Sequence, residues 1–361
     1  MGPVTADDAR WMTAAIALSE RSRGRTAPNP NVGCIIVQPT PAQAGGRVVG
    51  RGWTQPGGRP HAEAAALAQA GEKSRGATAY VTLEPCAHRS ERGPACAPSL
   101  AEAGVARVVA AVVDPDPRTA GRGLALLRDA GMTVVEGLRA DDARRAMGGF
   151  FTRRTFGRPF VTLKLATSLD GCIALASGES RWITGPEARA HAHLERTRHE
   201  AILVGRGTWD VDSPKLDVRL AGLEDRSPIR VVLTKHPHPP HSLRERTPSP
   251  SRREREGAPE ARKGEGDLTY IARPEDIATL PVDHLLVEGG AQTAAAFLRA
   301  NLVDRLLLYR APILIGAGKP GLGDIGLSDI AAAHGIWRRT DARRLGSDTL
   351  EVYERAPCSP E

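Results

Sequence analysis

The stretch that decides the fold of the N-terminal half is His61-Ala62-Glu63, followed by Thr82-Leu83-Glu84-Pro85-Cys86 and, ten residues after Cys86, by Cys96. One histidine and two cysteines supply three zinc ligands, and leaving the fourth tetrahedral position to water is typical of catalytic rather than structural zinc. A glutamate two residues after the histidine can move protons to and from that water. The stretch therefore predicts a zinc-dependent hydrolytic site with His61, Cys86 and Cys96 as metal ligands and Glu63 as the catalytic acid and base.

The residues around these ligands predict how they are held. Alanine predominates from Ala62 to Ala70, which favours a helix and puts His61 and Glu63 in its first turn. The run Thr78 to Leu83 is typical of a buried strand, and Pro85-Cys86 is expected to begin the next helix. Two helix N-termini would then meet at one metal, where their dipoles favour thiolate and hydroxide.

Composition limits the classes of protein that can surround such a site. The chain has 361 residues, 41% of them hydrophobic and 25% charged, which suits two globular domains of roughly 100–200 residues each. No run approaches the ~18 consecutive apolar residues of a membrane span. The acidic N-terminus lacks the pattern of a secretory signal, and five scattered cysteines do not form a disulfide framework. We therefore expect a cytoplasmic protein without membrane association.

The net charge of +7 leaves two partners open. An excess of arginine suits either nucleic acid or a phosphorylated small molecule, and a GC-rich genome accounts for it equally well. Aromatic residues make up only 4% of the chain, so a platform that stacks bases would be thin. A small phosphorylated substrate is the prediction, with nucleic-acid deamination as the alternative.

The N-terminal half alternates helices and strands. Trp11 to Leu18 has helical periodicity and can be capped by Asp7 or Asp8. A turn-rich loop with Asn29 and Asn31 then leads into the strand predicted from Val32 to Val37. The two asparagines are candidates for reading the edge of a heterocycle, and Asn29 is taken as a substrate-binding residue.

Several of these motifs together resemble one family. Thr82-Leu83-Glu84-Pro85-Cys86-Ala87-His88 with its distant second cysteine, Pro28-Asn29-Pro30-Asn31-Val32-Gly33 and His61-Ala62-Glu63 are similar to the deaminase half of the bifunctional riboflavin-biosynthesis deaminase/reductases. The resemblance implies a cytidine-deaminase-like α/β/α domain in which the histidine and both cysteines hold zinc and the glutamate is the proton donor. Nucleic-acid and cytidine deaminases have a shorter gap between the cysteines. Here the loop Arg89-Ser90-Glu91-Arg92-Gly93 departs from the family's His-Gly-Arg-Thr run and is one residue longer.

The C-terminal half continues the resemblance after a break at Gly148-Gly149, so we expect domains at 1–147 and 148–361. The stretches Lys164 to Gly171 and Ser177 to Thr184 are similar to the reductase half, which implies a dihydrofolate-reductase-like α/β fold and NADPH as cofactor. Matching positions imply cofactor contacts at Ala166, Trp182, Thr208, Asp212 and Gly290, and substrate contacts at Ser180, Arg196, Leu216, Arg219 and Glu288. Arginines suit a ribose phosphate because they pair with it bidentately, and two glycines before a helix suit a phosphate.

The segment from residue 236 to residue 266 differs in composition from the rest. It contains six prolines and many charges of both signs, so it cannot bury enough apolar surface to offset the entropy of ordering. We predict a disordered insertion, with an arginine-rich nucleic-acid arm as the alternative.

The sequence thus predicts two active sites on one chain. The first would deaminate a phosphoribosylated diaminopyrimidinone, and the second would reduce the ribose of the product with NADPH. A deaminase whose C-terminal domain only binds or assembles is the alternative. A homo-oligomer is left open.

Overall fold

The computed structural model describes residues 4–40, 43–88, 93–235 and 268–356. The predicted insertion at 236–266, and residues 89–92 of the loop between the two cysteines, lie outside the described residues. The chain divides into two compact units. The first comprises Met1–Phe160, Thr197–Glu200 and Ala278–Leu285, and the second comprises Val161–Arg196, Ala201–Ile277 and Leu286–Glu361. Gly148, at which the sequence placed the domain boundary, is the first residue of a helix that groups with the first unit.

The first unit contains a five-stranded sheet flanked by helices. Its elements are α1 (Ala6–Ser19), β1 (Gly33–Thr40), β2 (Gln43–Trp53), α2 (Ala62–Ala70), β3 (Thr78–Val81), α3 (Cys96–Glu102), β4 (Arg107–Ala110), α4 (Arg122–Asp129), β5 (Thr133–Glu136), α5 (Ala140–Ala146) and α6 (Gly148–Phe156). The strand order is β2-β1-β3-β4-β5. Strands β2 and β3 are antiparallel to β1, whereas β3, β4 and β5 are parallel. The parallel strands therefore end at one edge of the sheet.

Two glycines show how helices cover both faces of this sheet. A Cβ on Gly33 would lie 2.0 Å from the Ala15 carbonyl oxygen of α1, and one on Gly52 would lie 2.0 Å from the Ala62 carbonyl oxygen of α2. Gly52 pairs with Cys34, the neighbour of Gly33, and successive residues of a strand point to opposite faces. Helices α1 and α2 thus pack on opposite faces, which confirms the predicted cytidine-deaminase-like α/β/α arrangement.

Helix α1 is tied to the sheet by a buried carboxylate. Asp8 accepts hydrogen bonds from Tyr80 (2.8 Å) and from both terminal nitrogens of Arg107 (2.6 and 3.0 Å). It also completes a capping box with Thr5, so Thr5 is the N-cap and the predicted cap at Asp7 or Asp8 is wrong. Burial alone would raise the pKa of Asp8, but these hydrogen bonds hold it well below its usual range.

The second unit is built on an eight-stranded mixed sheet. Its elements are β6 (Phe160–Thr167), β7 (Cys172–Ala174), α7 (Pro186–Arg196), β8 (Ala201–Gly205), α8 (Arg206–Asp212), β9 (Ile229–Leu233), β10 (Leu268–Ile271), β11 (His284–Val287), α9 (Ala291–Arg299), β12 (Arg305–Arg310), β13 (Lys319–Pro320), β14 (Trp337–Leu345) and β15 (Asp348–Arg355). The strand order is β10-β9-β8-β11-β6-β12-β15-β14, and β7 and β13 form a separate pair. Strands β8 and β11 lie at its centre and are fully buried.

No helix within the described residues is long and apolar enough to cross a membrane.

Replacing Asp8 with Asn is expected to destabilise the first unit by about 3 kcal/mol, because it leaves Arg107 without its buried partner. The pKa of Asp8 is lowered in the folded state, so its contribution is present above the unfolded pKa of about 4 and is lost as the pH falls below it. Urea unfolding at pH 7 and at pH 3.5 measures both effects. The exposed Asp129→Asn variant is the control, and an equal shift in the two variants at pH 7 would contradict the assignment.

Candidate active sites in the two units

The three predicted metal ligands of the first unit lie together. His61 is the N-cap of α2, Cys86 follows β3, and Cys96 is the first residue of α3. The His61 Nδ1 atom is 3.3 Å from Cys96 Sγ and 3.7 Å from Cys86 Sγ, and the candidate ligand atoms all lie within 4.8 Å of one another. The prediction that Pro85-Cys86 begins a helix is wrong, because the second helix begins at Cys96. Two helix N-termini therefore meet at the cluster, the second through Cys96.

The donor set fits a zinc ion. Both cysteines are buried, and the backbone N–H of Cys96 donates to Cys86 Sγ at 3.3 Å. The hydrogen bond from the Cys96 side chain is the main reason that the pKa of the Cys86 thiol is lowered to about 4. Cys86 is therefore poised as a thiolate, the form in which cysteine binds metals. One imidazole and two sulfurs at these separations match a zinc site with an open fourth position.

Glu63 lies in the first turn of α2 and lines the same pocket as His61 and Cys86. Its carboxyl group is buried, and this burial raises its pKa to about 7. A carboxyl group with such a pKa exists in both protonation states near neutral pH, which is what a proton carrier requires.

Glu84 belongs to the same motif but has a different task. Its carboxylate accepts four backbone hydrogen bonds, from Asp114, Gly121, Gly123 and Leu124, at 2.9–3.2 Å. It thereby fixes the loop after β4 and the start of α4 next to Cys86. A Cβ on Gly123 would lie 1.9 Å from the Pro85 carbonyl oxygen, so the close approach requires glycine there.

The two candidate asparagines have different environments. Asn29 lines it, and its side-chain amide donates to the Gly58 carbonyl at 3.2 Å. Asn31 is buried, and its amide donates to the Ala146 carbonyl at 3.0 Å. The Asn31 side chain therefore stabilises the fold. The prediction that grouped it with Asn29 as a residue that could contact a heterocycle is wrong.

Sequence reasoning missed much of the remaining pocket wall. The additional polar and aromatic residues that line it are Thr54, Arg59, His88, Asp114, Asp116, Arg118, Phe150 and Arg154. One signal was available: Asp114 and Asp116 follow β4 as Cys86 follows β3, and these strands are parallel neighbours. Residues after adjacent parallel strands meet at one edge of the sheet, where α/β proteins place ligands.

Six residues predicted for the reductase site line one pocket of the second unit. They are Ala166, Ser180, Trp182, Arg196, Arg219 and Glu288. Glu288 follows β11 and pairs with Arg196 of α7 through two contacts, Nε to Oε1 at 2.8 Å and NH2 to Oε2 at 2.9 Å. Burial alone would raise the pKa of Glu288, but the charges of Arg196 and Lys164 outweigh it and lower the pKa to about 2. Glu288 is therefore ionised at neutral pH.

Three ionisable residues that line this pocket were not predicted. The Arg189 guanidinium lies 4.7 Å from the centre of the Trp182 ring, and Lys164 Nζ lies 3.9 Å from Glu288 Oε2. His193 Nδ1 accepts a hydrogen bond from the backbone N–H of Arg219 at 3.2 Å. Arg189, His193 and Arg196 are spaced by four and then three residues along α7, which puts them on one helix face. That spacing was visible in the sequence.

The other predicted residues of the second unit lie at a neighbouring turn or in the core. Gly290 N donates to Thr208 Oγ1 at 3.2 Å, and Asp212 ends α8 with a carboxylate oxygen 3.9 Å from Arg181. The side chain of Leu216 is buried and packs in a cluster with Ile202. A ligand could therefore reach Leu216 only through its backbone.

The turn at Gly290 fits a dinucleotide phosphate. Helices α8 and α9 begin directly after Gly205 and Gly290, and these N-cap glycines have no side chain that could accept from the first turn of the helix. A Cβ on Gly205 would lie 2.0 Å from Thr293 Oγ1, so glycine lets the two helix starts come close. Backbone donors at adjacent helix N-termini suit an anion.

Family models match both the N-terminal and the C-terminal part of the chain. Residues 5–112 match the cytidine and deoxycytidylate deaminase zinc-binding region, and residues 159–350 match the RibD C-terminal domain. The chain is 41% identical to the riboflavin biosynthesis protein RibD of Escherichia coli, with 94% of this chain and 97% of that protein covered. It is 38% identical to the RibD of Mycobacterium tuberculosis strain H37Rv, with 94% and 95% covered.

Solved structures give the same result. Acinetobacter baumannii RibD superposes with a TM-score of 0.77 at 35% identity, covering 97% of this chain and 99% of that one. A diaminohydroxyphosphoribosylaminopyrimidine deaminase/5-amino-6-(5-phosphoribosylamino)uracil reductase from Thermotoga maritima superposes with a TM-score of 0.78 at 30% identity over the same shares. These matches confirm the fold classes and the family that the sequence motifs indicated. The chain belongs to the RibD family of riboflavin-biosynthesis proteins.

Proposed function

We propose that the chain catalyses two successive steps of riboflavin biosynthesis. The first unit replaces the ring amino group of a phosphoribosylated diaminopyrimidinone with oxygen, releasing ammonia. The second unit reduces the ribose of the resulting aminouracil to a ribityl chain with NADPH. The observation that carries the first step is a buried carboxyl group, that of Glu63, in one pocket with His61 and Cys86, which form a cluster of three zinc-type donors with Cys96.

In the deaminase site His61, Cys86 and Cys96 would hold the zinc ion. Zinc bound there supplies Lewis acidity, which lowers the pKa of water. The water oxygen bonds to the ring carbon that bears the amino group, while Glu63 carries the two water protons, one to the adjacent ring nitrogen and one to the amino group. The bond from carbon to the amino nitrogen then breaks, ammonia leaves, and the water oxygen remains as the ring carbonyl. The burial of Glu63 supports this role because a carboxyl group with a pKa near 7 can accept and return a proton at neutral pH. Asn29 lies at the same pocket and is assigned to the edge of the pyrimidine.

In the reductase site the protein's main task is to position the cofactor against the substrate, because NADPH supplies the hydride. Thr208, Asp212 and Gly290 are assigned to the phosphates and ribose of the cofactor at the two helix starts. Ala166 and Trp182 are assigned to its nicotinamide end, where they line the substrate pocket.

The substrate of the reductase is assigned to the polar side of the same pocket. Ser180 and Glu288 would bind its hydroxyl and carbonyl groups, with Arg196 fixing the Glu288 carboxylate. Arg219 would bind the phosphate, and Leu216 would contribute its backbone.

Two further assignments follow from the chemistry. The partners are small phosphorylated pyrimidines, since each pocket combines a polar floor with cationic side chains. We place the reaction in the cytoplasm, because the described cysteines that are not assigned to zinc, Cys34 and Cys172, are both free thiols, as expected in a reducing compartment. The nucleic-acid alternative would be favoured if RNA or single-stranded DNA competed with the small substrate.

Replacing Cys86 with Ala is expected to reduce bound zinc from about one ion per chain to near zero, since two protein ligands do not retain zinc well. Zinc is measured by atomic emission after gel filtration. The control is Cys34→Ala, another buried free cysteine, which should keep its zinc. Equal zinc in wild type and Cys86→Ala would contradict the assigned ligands.

The Glu63→Gln variant is expected to lose at least about 100-fold in the rate of ammonia release, because the amide cannot carry protons. The same protein should bind zinc normally and should oxidise NADPH at the wild-type rate when it is given the deaminated substrate. Ammonia release within a few-fold of wild type would exclude Glu63 as the proton carrier.

The Glu288→Gln variant is expected to lose about 100-fold or more in kcat/KM for NADPH oxidation, because the buried charge that Arg196 and Lys164 surround is removed. Ammonia release should be unchanged, and the exposed Glu275→Gln variant is the control. If wild-type protein oxidised no NADPH above background with the deaminated substrate, the second unit would be a binding or assembly domain.

A further inference from the structure

The deaminase pocket has a gradient of burial. Glu63 and Cys86 are nearly inaccessible, whereas 65% of the Arg118 side chain and 43% of the Arg154 side chain are exposed. All four line the same pocket. The chemistry takes place at the buried end, so a ligand whose reacting ring lies at Glu63 would extend its remaining groups towards the two arginines.

The two arginines are gathered around one carboxylate. Arg118 Nε donates to Asp116 Oδ1 at 3.0 Å, and its NH2 donates to Oδ2 at 2.6 Å. Arg154 NH2 is 3.6 Å from the same Oδ2 atom, which is an ion pair beyond normal hydrogen-bond length. Asp116 is itself buried. It therefore holds Arg118 in place by one edge of the guanidinium. A second carboxylate, that of Asp114, lines the same pocket.

The second arginine is fixed by a different neighbour. Arg154 lies one helical turn after Phe150 on α6, and its guanidinium is 5.4 Å from the centre of the Phe150 ring. Contact with an aromatic face leaves the planar edges of a guanidinium available for hydrogen bonds to an oxyanion. Arg118 comes from the loop after β4, so two separate elements bring one cation each to the same rim.

We propose that Arg118 and Arg154 bind the phosphate monoester on the ribose of the deaminase substrate, an inference that rests on the proposed function. A phosphate dianion matches the two guanidinium groups of this rim, and the planar fork of arginine suits its oxygens. The ribose spans the distance between the ring at Glu63 and the phosphate at the rim. Asp116 acts as a positioning residue, because it orients Arg118 and does not meet the phosphate.

The test measures ammonia release by the full chain without NADPH, for wild type, Arg118→Gln, Arg154→Gln and the double variant. Each single substitution is expected to raise KM for the phosphorylated substrate about tenfold, and the double variant about 50-fold or more, with kcat changed less than about twofold. The matched control is Arg128→Gln, since Arg128 is also 44% exposed and also pairs with a carboxylate, that of Glu136. Its KM should be that of wild type.

The second arm uses the same substrate after its phosphate has been removed enzymatically. All five proteins should then show the same high KM, because the phosphate contact is missing in every case. Zinc content and NADPH oxidation with the deaminated substrate report whether each variant is folded.

The outcomes distinguish a failure of the proposed function from a failure of the proposed phosphate site. If wild type releases no ammonia from the phosphorylated substrate, the proposed function fails whatever the arginines do. If wild type is active and the double variant keeps its KM, the phosphate site is wrong while the deaminase remains. An equal rise in KM for both forms of the substrate, or RNA that competes with wild type but not with the double variant, would also overturn the proposal.

Discussion

One carboxylate, that of Glu84, ties together the two loops on which the deaminase site depends. Strands β3 and β4 are parallel neighbours, so the loop with Cys86 and the loop with Asp114 leave the sheet at one edge. Glu84 spans the gap by accepting four backbone N–H groups from the second loop and the start of α4. Unpaired, those buried donors would each cost about 1–3 kcal/mol. Cys86 and the rim of the pocket therefore share one support.

The two units use buried glutamates in opposite ways. Burial raises the pKa of Glu63 to about 7, so that carboxyl group can exchange a proton. Glu288 is largely buried too, with 10% of its side chain exposed, yet Arg196 and Lys164 lower its pKa to about 2 and keep it charged. The environment thus sets which glutamate moves protons and which supplies a fixed negative charge. This contrast suits a hydrolysis in one unit and a hydride transfer in the other.

The parts of the site that were predictable from sequence are those carried by short, local patterns. His61, Glu63, Cys86 and Cys96 could be found because metal ligation demands particular residue types, whatever the surrounding fold. The helix start at Cys96 was misplaced because a proline before Cys86 favours a helix only locally, and the four bonds to Glu84 impose a loop. Arg118 and Arg154 were not found, since two exposed arginines on different elements acquire a meaning only when tertiary structure brings them to one rim.

Side-chain direction was also beyond the sequence. Asn29 and Asn31 look equivalent in a turn-rich loop, but one lines the pocket and the other donates to the Ala146 carbonyl. Leu216 matches a substrate position, yet its side chain is buried in the core of the second unit. These differences depend on the side of the backbone on which each side chain lies, and in extended backbone that side alternates from one residue to the next.

One chain carries out deamination first and reduction second. The most direct measurement follows ammonia and NADPH together in one sample of purified protein with the phosphoribosylated diaminopyrimidinone. We predict that ammonia appears with or without NADPH, that NADPH is consumed only after ammonia has begun to form, and that both reach one equivalent per substrate. Consumption of NADPH without prior release of ammonia, or no release of ammonia at all, would contradict this order of reactions.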